Sequence, residues 1–336
     1  MANGFERLRL STTASAVALL AGVFGGSRSA RAAVVATPLH ITTAGVRWSS
    51  IKNSNTGPAT FGQGFGVTSG GILTASGRND AFDGSLMCRV NGTTFVNPAG
   101  TVDLSTVTGG KKITTNLQTI GSLQVGETFY ASSSKRVMRG ICSVTNPTGA
   151  PIAVTLLMGT NLGSDNQTFI QASSSGDTTV DASDHWFVSS DANPTFGDPV
   201  VAYGRFGAGA QIVPTLVQTP GTPAPPASND NLVDQYTFTV PAGGTIGVMQ
   251  LVSASPDIAS ATTLAASFNS LSTLQSAGLL ADLSGAAINQ IQNYAPVAVA
   301  VPVVPAPLLS RWGTLGLALL LASGALLQRM RRRYLR

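Results

Sequence analysis

The sequence predicts a mainly β protein: an antiparallel, β-sandwich-like body, a short helical pair near the carboxyl end, and a single carboxyl-terminal transmembrane helix. Three observations lead to this prediction. Apolar and polar side chains alternate in several segments of residues 33–253, with turn signals between them. In residues 254–295, apolar side chains recur at three- and four-residue spacing instead. Residues 312–327 form a run of sixteen residues without a charge.

Composition and charge restrict the class of protein further. Of the 336 residues, 43% are hydrophobic and 10% are charged, whereas about 25% are charged in an average soluble protein. Such a chain is too apolar to be disordered. The net charge is +5, but residues 33–310 hold 10 basic and 14 acidic residues, which gives this body a net charge of −4. A nucleic-acid-binding domain needs a basic face, so we expect no nucleic-acid partner.

The amino end predicts export. Arg7 and Arg9 precede a largely apolar run over residues 11–26, and a small-x-small tripeptide ends at Ala32. A positive start, a short apolar run and such a tripeptide are typical of a secretory signal peptide. We therefore expect residues 1–32 to be a leader that signal peptidase removes after Ala32.

The exported body is expected to be a β-rich extracytoplasmic domain over residues 33–253. Side chains alternate with period two in three of its segments, residues 137–144, 152–158 and 236–240. A β-sandwich buries the apolar faces of such strands most simply. The Pro-rich stretch 213–228 cannot be a central strand because proline lacks the N–H donor, and we expect a surface loop there.

A helical segment is expected over residues 254–295. Ser255 is suited to cap the first helix and Pro256 to occupy its first position. A shorter helix is expected over residues 284–294. Residues 296–307 contain four prolines, which favours a stiff, extended spacer.

Residues 308–336 combine a short motif, an apolar helix and a basic tail. The charge-free run measures about 24 Å as a helix, against a hydrocarbon core of roughly 30 Å. A basic tail favours the cytoplasmic side of the membrane, which leaves the preceding body outside. The tail residues are Arg329, Arg331, Arg332 and Arg333.

The short motif lies directly before the apolar run. Five of its residues are Pro307, Leu309, Ser310, Trp312 and Gly313. At these positions the chain resembles the IPTL-type carboxyl-terminal sorting signal of Gram-negative bacteria, a relative of the PEP-type signal. The resemblance implies an inner-membrane-anchored precursor, processing by an exosortase-like membrane enzyme, and a final place in the cell envelope or at the surface. The motif would then be the substrate of another enzyme.

Cys88 and Cys142 are the only cysteines in the sequence. In an oxidising compartment they can form a disulfide that spans 54 positions of the chain. The alternative is two buried free thiols. We expect no metal site at these two residues, because they lack partner histidines.

Other residues with chemical potential have ordinary explanations. His40 and His185 are the only histidines, and the sequence contains no Gly-x-Ser-x-Gly elbow, so no catalytic triad is predicted. Several aspartates could offer oxygens to Ca²⁺ from loops, but aspartate also favours turns through its own hydrogen bonds. These aspartates are Asp80, Asp83, Asp177, Asp181 and Asp184. No cofactor is predicted.

Together these observations predict an exported envelope or cell-surface protein of structural or adhesive type, and not an enzyme. Two alternatives stay open. The first is a secreted hydrolase, for example a glycan-directed one, retained at the envelope; it would need two carboxylates about 5 to 9 Å apart in a cleft. The second is a plain inner-membrane protein anchored by one helix, with its tail uncut.

Overall fold

The computed structural model describes residues 32–74, 78–164, 168–191, 198–221 and 230–294. These residues form antiparallel β-sheets followed by short helices, which confirms the predicted mainly β class. The strands are β1 (Ala33–Ala36), β2 (Leu39–Thr43), β3 (Val46–Ser54), β4 (Gly64–Gly66), β5 (Ser69–Ile72), β6 (Met87–Val90), β7 (Thr93–Thr94), β8 (Thr101–Val107), β9 (Gly110–Thr114), β10 (Gln118–Ile120), β11 (Leu123–Ser132), β12 (Val137–Thr145), β13 (Ile152–Asn161), β14 (Phe169–Ser173), β15 (Trp186–Ser190), β16 (Val201–Gly204), β17 (Thr215–Gln218), β18 (Asn231–Val240) and β19 (Thr245–Ser253).

Three sheets make up the β part. A ten-stranded sheet has the order β1-β8-β9-β11-β12-β19-β16-β15-β14, with β10 paired to β11. A five-stranded sheet has the order β17-β18-β13-β6-β7. A four-stranded sheet consists of β2, β3 and β4, with β5 also paired to β3.

The two faces of β12 show how the layers are stacked. Met138, Cys142 and Val144 belong to the main apolar core, which includes residues of all three sheets. Val137 and Ile141 belong to a second core, which the helical residues cover. The predicted alternation in this strand is therefore confirmed, and β12 is buried on both faces.

The other two predicted strands are also present. β13 places Val154, Leu156 and Met158 in the main core, and β18 does the same with Tyr236 and Phe238. Both strands are thus apolar on the face that their alternation predicted.

The Pro-rich stretch differs in part from the surface loop that we expected. Within it, Thr215–Gln218 forms β17, which lies at the edge of the five-stranded sheet. An edge strand tolerates nearby prolines because one of its sides needs no ladder hydrogen bonds. Residues 222–229 lie outside the described part of the chain.

The helical segment is divided into short pieces. They are α1 (Ile258–Ala265), a 3₁₀ turn (Ala266–Asn269), α2 (Leu271–Ser276) and α3 (Gly285–Asn289). Ser270 interrupts the expected first helix because its extended backbone starts a new one, in which it forms a capping box with Thr273.

The residue that caps α1 is Asp257, so our assignment of Ser255 as the cap is wrong. The Asp257 carboxylate accepts a hydrogen bond from the Ser260 N–H at 2.7 Å. Ser255 instead extends the sheet: its N–H donates to the Val200 carbonyl at 2.8 Å. A residue that is tied into a β-bridge is unavailable as a helix cap.

Within the described residues, no helix has the length and apolarity needed to cross a bilayer. Residues 1–31 and 295–336 lie outside those residues. The signal peptide, spacer, sorting motif, apolar helix and basic tail therefore remain predictions.

Candidate functional site

A surface groove of about 640 Å³ lies between the β11–β12 turn and the helical layer. Its volume falls within the usual range of ligand sites, about 300–1,000 Å³. Alanine and leucine side chains form its apolar lining. Five hydroxyl groups also line it, from Ser134, Ser255, Ser260, Thr263 and Ser267.

Two cationic side chains, Lys135 and Arg136, complete the lining. The tight turn that presents them is closed by Ser132, whose hydroxyl accepts hydrogen bonds from the N–H groups of Ser134 and Lys135 at 3.3 and 3.2 Å. The Arg136 Nε is buried and has no hydrogen-bond partner among the described residues. This N–H donor is therefore not used within the described part of the chain.

The carboxylate of Asp257 interacts electrostatically with Arg136, which lines this groove. Hydrogen bonds from the Ser260 N–H and hydroxyl lower the pKa of Asp257, and the charges of Arg136 and Arg78 act in the same direction. Asp257 is therefore ionised at neutral pH. None of the groove-lining residues described is a carboxylate, so the acid pair that a glycoside hydrolase needs is not part of this lining.

The two cysteines meet in the main core. Cys88 on β6 and Cys142 on β12 have their Sγ atoms 2.7 Å apart, and both residues are 0% exposed. Glu127 on β11 is the cross-strand partner of Cys142. A carboxylate oxygen of Glu127 and the two Sγ atoms lie within 4.8 Å of one another.

Our sequence reasoning paired the cysteines but missed Glu127. The sequence held a signal, because Glu127 stands at two-residue spacing in a series with Leu123, Val125 and Phe129. In the structure, all four side chains are buried. A glutamate in such a series points into the core. Burial raises the pKa of Glu127 well above its usual range, an effect that the neighbouring Cys88 thiol opposes. Burial likewise raises the pKa of both thiols.

Glu127→Gln is expected to flatten the pH dependence of stability. An unfolded glutamate releases its proton at about pH 4.3, whereas folded Glu127 keeps it to higher pH. Protonated Glu127 therefore makes its full contribution to stability below about pH 4, and this contribution is lost as the pH rises toward the pKa of Glu127 in the folded protein. Between pH 4 and pH 8, we expect the unfolding free energy of the wild type to fall relative to that of Glu127→Gln. The difference should be at least about 1.4 kcal/mol, which corresponds to one pKa unit.

Urea denaturation between pH 4 and pH 8 measures this difference. Asp103→Asn, which changes an exposed acid on β8, is the matched control and should keep the wild-type profile. Parallel profiles for the wild type and Glu127→Gln would contradict the buried-acid interpretation.

The loop aspartates stabilise their own turns. Asp177 accepts a hydrogen bond from the Thr179 N–H at 2.9 Å, and Asp181 accepts one from the Ser183 N–H at 2.6 Å. The Thr179 N–H lowers the pKa of Asp177, and the Ser183 hydroxyl together with the Ser183 N–H lowers that of Asp181. Within the described ranges, the only group of three or more residues with metal-ligand spacing is the cluster of two cysteines and Glu127. The turn explanation therefore accounts for these aspartates.

Both histidines have local partners. His185 Nδ1 lies 2.7 Å from the Asn269 Oδ1, and its ring packs edge-on against Phe206. His40 Nδ1 accepts a hydrogen bond from the Ser50 N–H at 3.2 Å. His185 thereby joins the start of β15 to the 3₁₀ turn of the helical layer.

A buried ion pair lies in the sandwich core. The side chains of Arg205 and Asp234 are 0% exposed, and Arg205 Nη2 lies 2.7 Å from Asp234 Oδ1. Arg205 Nη1 donates to the carbonyls of Asp181 and Asp184. Burial raises the pKa of Asp234 and the Arg205 charge opposes this rise, so the carboxylate depends on the guanidinium for its charge.

A second buried ion pair joins the large sheet to the helical layer. Arg139 on β12 donates to both carboxylate oxygens of Asp282 at 2.9 and 2.8 Å, and to the Leu279 carbonyl at 2.6 Å. The Arg139 guanidinium also lies 4.8 Å from the centre of the Tyr130 ring. This pair fixes the segment after α2 against the sheet.

Comparison with known proteins gives structural neighbours only. No family model and no curated protein matches the chain. A galactose mutarotase-like protein from Lactobacillus casei aligns with a TM-score of 0.33 and 10% identity over 64% of this chain and 99% of that one. A GH36 alpha-galactosidase from Geobacillus stearothermophilus aligns with a TM-score of 0.35 and 10% identity, over 66% of this chain and 40% of that one. A polysaccharide lyase aligns with a TM-score of 0.38 and 10% identity, over 70% of this chain and 34% of that one.

These names are those of carbohydrate-active proteins, not of structural or adhesive ones. They contradict our prediction of a structural or adhesive protein without enzymatic activity. With TM-scores below 0.5, the neighbours transfer neither a residue nor a substrate to this chain.

Proposed function

We propose that the protein is glycan-directed and binds an anionic saccharide in the groove between the β11–β12 turn and α1. The observation that supports this proposal is the polar lining of the groove, which combines five hydroxyls with the two cations Lys135 and Arg136.

The lining matches the chemistry of an acidic sugar. Serine and threonine hydroxyls both donate and accept hydrogen bonds, as the hydroxyls of a sugar do. An arginine guanidinium can bind a carboxylate or sulfate in a bidentate manner, and a lysine adds a point charge. Leu264 and the alanines of the lining offer apolar contact to the C–H groups of a sugar ring.

Recognition would be local and not a property of the whole surface. Residues 33–310 have a net charge of −4, from 10 basic and 14 acidic residues, so the body as a whole does not attract anions. Lys135 and Arg136 place two positive charges at the groove, although the body as a whole is negative. Binding should therefore weaken as salt screens the exposed charges.

Lys135→Ala/Arg136→Ala is expected to weaken binding of an oligogalacturonate at least about tenfold, because losing two charge-assisted contacts costs at least about 1.4 kcal/mol. Isothermal titration calorimetry of the full chain in detergent measures the affinity. A neutral oligosaccharide of the same length should bind more weakly to the wild type.

Lys52→Ala, which removes a cation from β3 instead, is the matched control and should leave the affinity unchanged. Equal binding of acidic and neutral oligosaccharides, or an unchanged affinity in the double variant, would refute the proposal. A loss of folding is detected separately from the circular dichroism spectrum of each variant.

A further inference from the structure

The buried cluster of Cys88, Cys142 and Glu127 lies apart from the groove and is not used by the proposed function. Cys88 belongs to the five-stranded sheet and Cys142 to the ten-stranded sheet. Their sulfur atoms face each other across the main core at 2.7 Å, without exposure to solvent. The cluster is therefore positioned to link the two sheets.

We propose that Cys88 and Cys142 form a disulfide bond that ties the five-stranded sheet to the ten-stranded sheet, beside the Glu127 side chain. The sulfur atoms need to approach by less than about 1 Å to reach a bond length of about 2.05 Å. The two strands that carry them are each paired on both sides within their sheets. The bond thus joins two elements that are already fixed in place.

A metal ion fits the same cluster less well. In a tetrahedral zinc site the Zn–S distances of about 2.3 Å keep two thiolates almost 4 Å apart, and here the sulfur atoms are 2.7 Å apart. Metal binding also requires thiolates, whereas burial raises the pKa of both cysteines and favours the protonated form. A disulfide carries no charge and avoids this cost.

Formation of the disulfide needs an oxidant, and glutathione disulfide can serve as one. Two S–H bonds break and one Sγ–Sγ bond forms, while the oxidant accepts two electrons and two protons and becomes two thiols. Because both sulfur atoms are buried in the folded protein, the exchange takes place before the two sheets close. The bond is then shielded from external thiols.

The full chain, refolded in detergent with glutathione disulfide, tests the proposal. After unfolding and alkylation, we expect no labelled cysteine, a mass lower by two hydrogens, and a linked peptide that contains both cysteines. Reductant present during thermal unfolding should lower the Tm by roughly 10 °C, from the loop that the bond closes.

The double variant Cys88→Ala/Cys142→Ala is the control, and its Tm should not respond to reductant. Two alkylated thiols after refolding, glutathione adducts on both cysteines, or a stoichiometric metal ion measured by elemental analysis would overturn the proposal. The mass measurement on the wild type does not depend on whether the variant folds. Saccharide binding is measured separately, so failure of one proposal is distinguishable from failure of the other.

Discussion

Replacing Asp234 with alanine is expected to lower the unfolding free energy by about 3–5 kcal/mol, because the change leaves the Arg205 charge buried without its partner. The two side chains are fully buried and 2.7 Å apart. The change also removes one of the two acceptors of the Gln250 Nε2, which lies 3.1 Å from Asp234 Oδ2 and 3.4 Å from the Tyr236 hydroxyl. Urea denaturation at neutral pH, monitored by circular dichroism, measures the loss.

Two controls separate the lost ion pair from a general effect of removing an acid. Asp103→Ala removes an exposed carboxylate from β8 and should change the free energy by less than about 0.5 kcal/mol. Arg205→Met/Asp234→Leu removes both charges and should be more stable than Asp234→Ala alone. If the double variant is less stable than Asp234→Ala, the stability loss comes from losing the ion pair and not from leaving the Arg205 charge unpaired.

The strands were the most predictable part of the fold. In β12 and β13, apolar side chains recur at every second position because those faces pack in the cores. The helical layer was less predictable, since the cap of α1 depends on a tertiary contact. Ser255 is bound to Val200 in a β-bridge, so Asp257 caps the helix.

The buried acidic residues were missed although they leave a trace in the pattern. Asp234 precedes Tyr236 and Phe238 at the same spacing in β18, and Glu127 has the same relation to Phe129 in β11. An acid at an inward position predicts a buried carboxylate. Its partner cannot be read from the pattern, because Arg205 is 29 positions away in the sequence and meets Asp234 only through the packing of the layers.

The groove had no signal in the sequence. Its lining comes from a hairpin turn around Ala44, from the turn 134–136 and from the segment 255–277. These segments lie far apart in the chain and share no motif. The cysteine pair, in contrast, was predictable as a pair because the chain contains two cysteines and no more.

Asp282→Ala is expected to lower the unfolding free energy by about 3–5 kcal/mol and to loosen the helical layer. Arg139 would remain buried in the sheet without a carboxylate partner, next to the Leu279 carbonyl and the Tyr130 ring. The helices that pack on the second core also carry one wall of the groove, including Leu264 and Ala277. We therefore expect faster amide exchange in residues 258–276 and weaker saccharide binding, measured by hydrogen–deuterium exchange and calorimetry.

Gln275→Ala, an exposed change in α2, is the matched control and should leave exchange and binding as in the wild type. Arg139→Met/Asp282→Leu, which removes both charges, should regain part of the lost stability. If amide exchange in residues 258–276 stays at the wild-type rate in Asp282→Ala while the whole protein is destabilised, the ion pair does not hold the helical layer in place. In that case the wall of the groove is positioned by the apolar contacts of the second core alone.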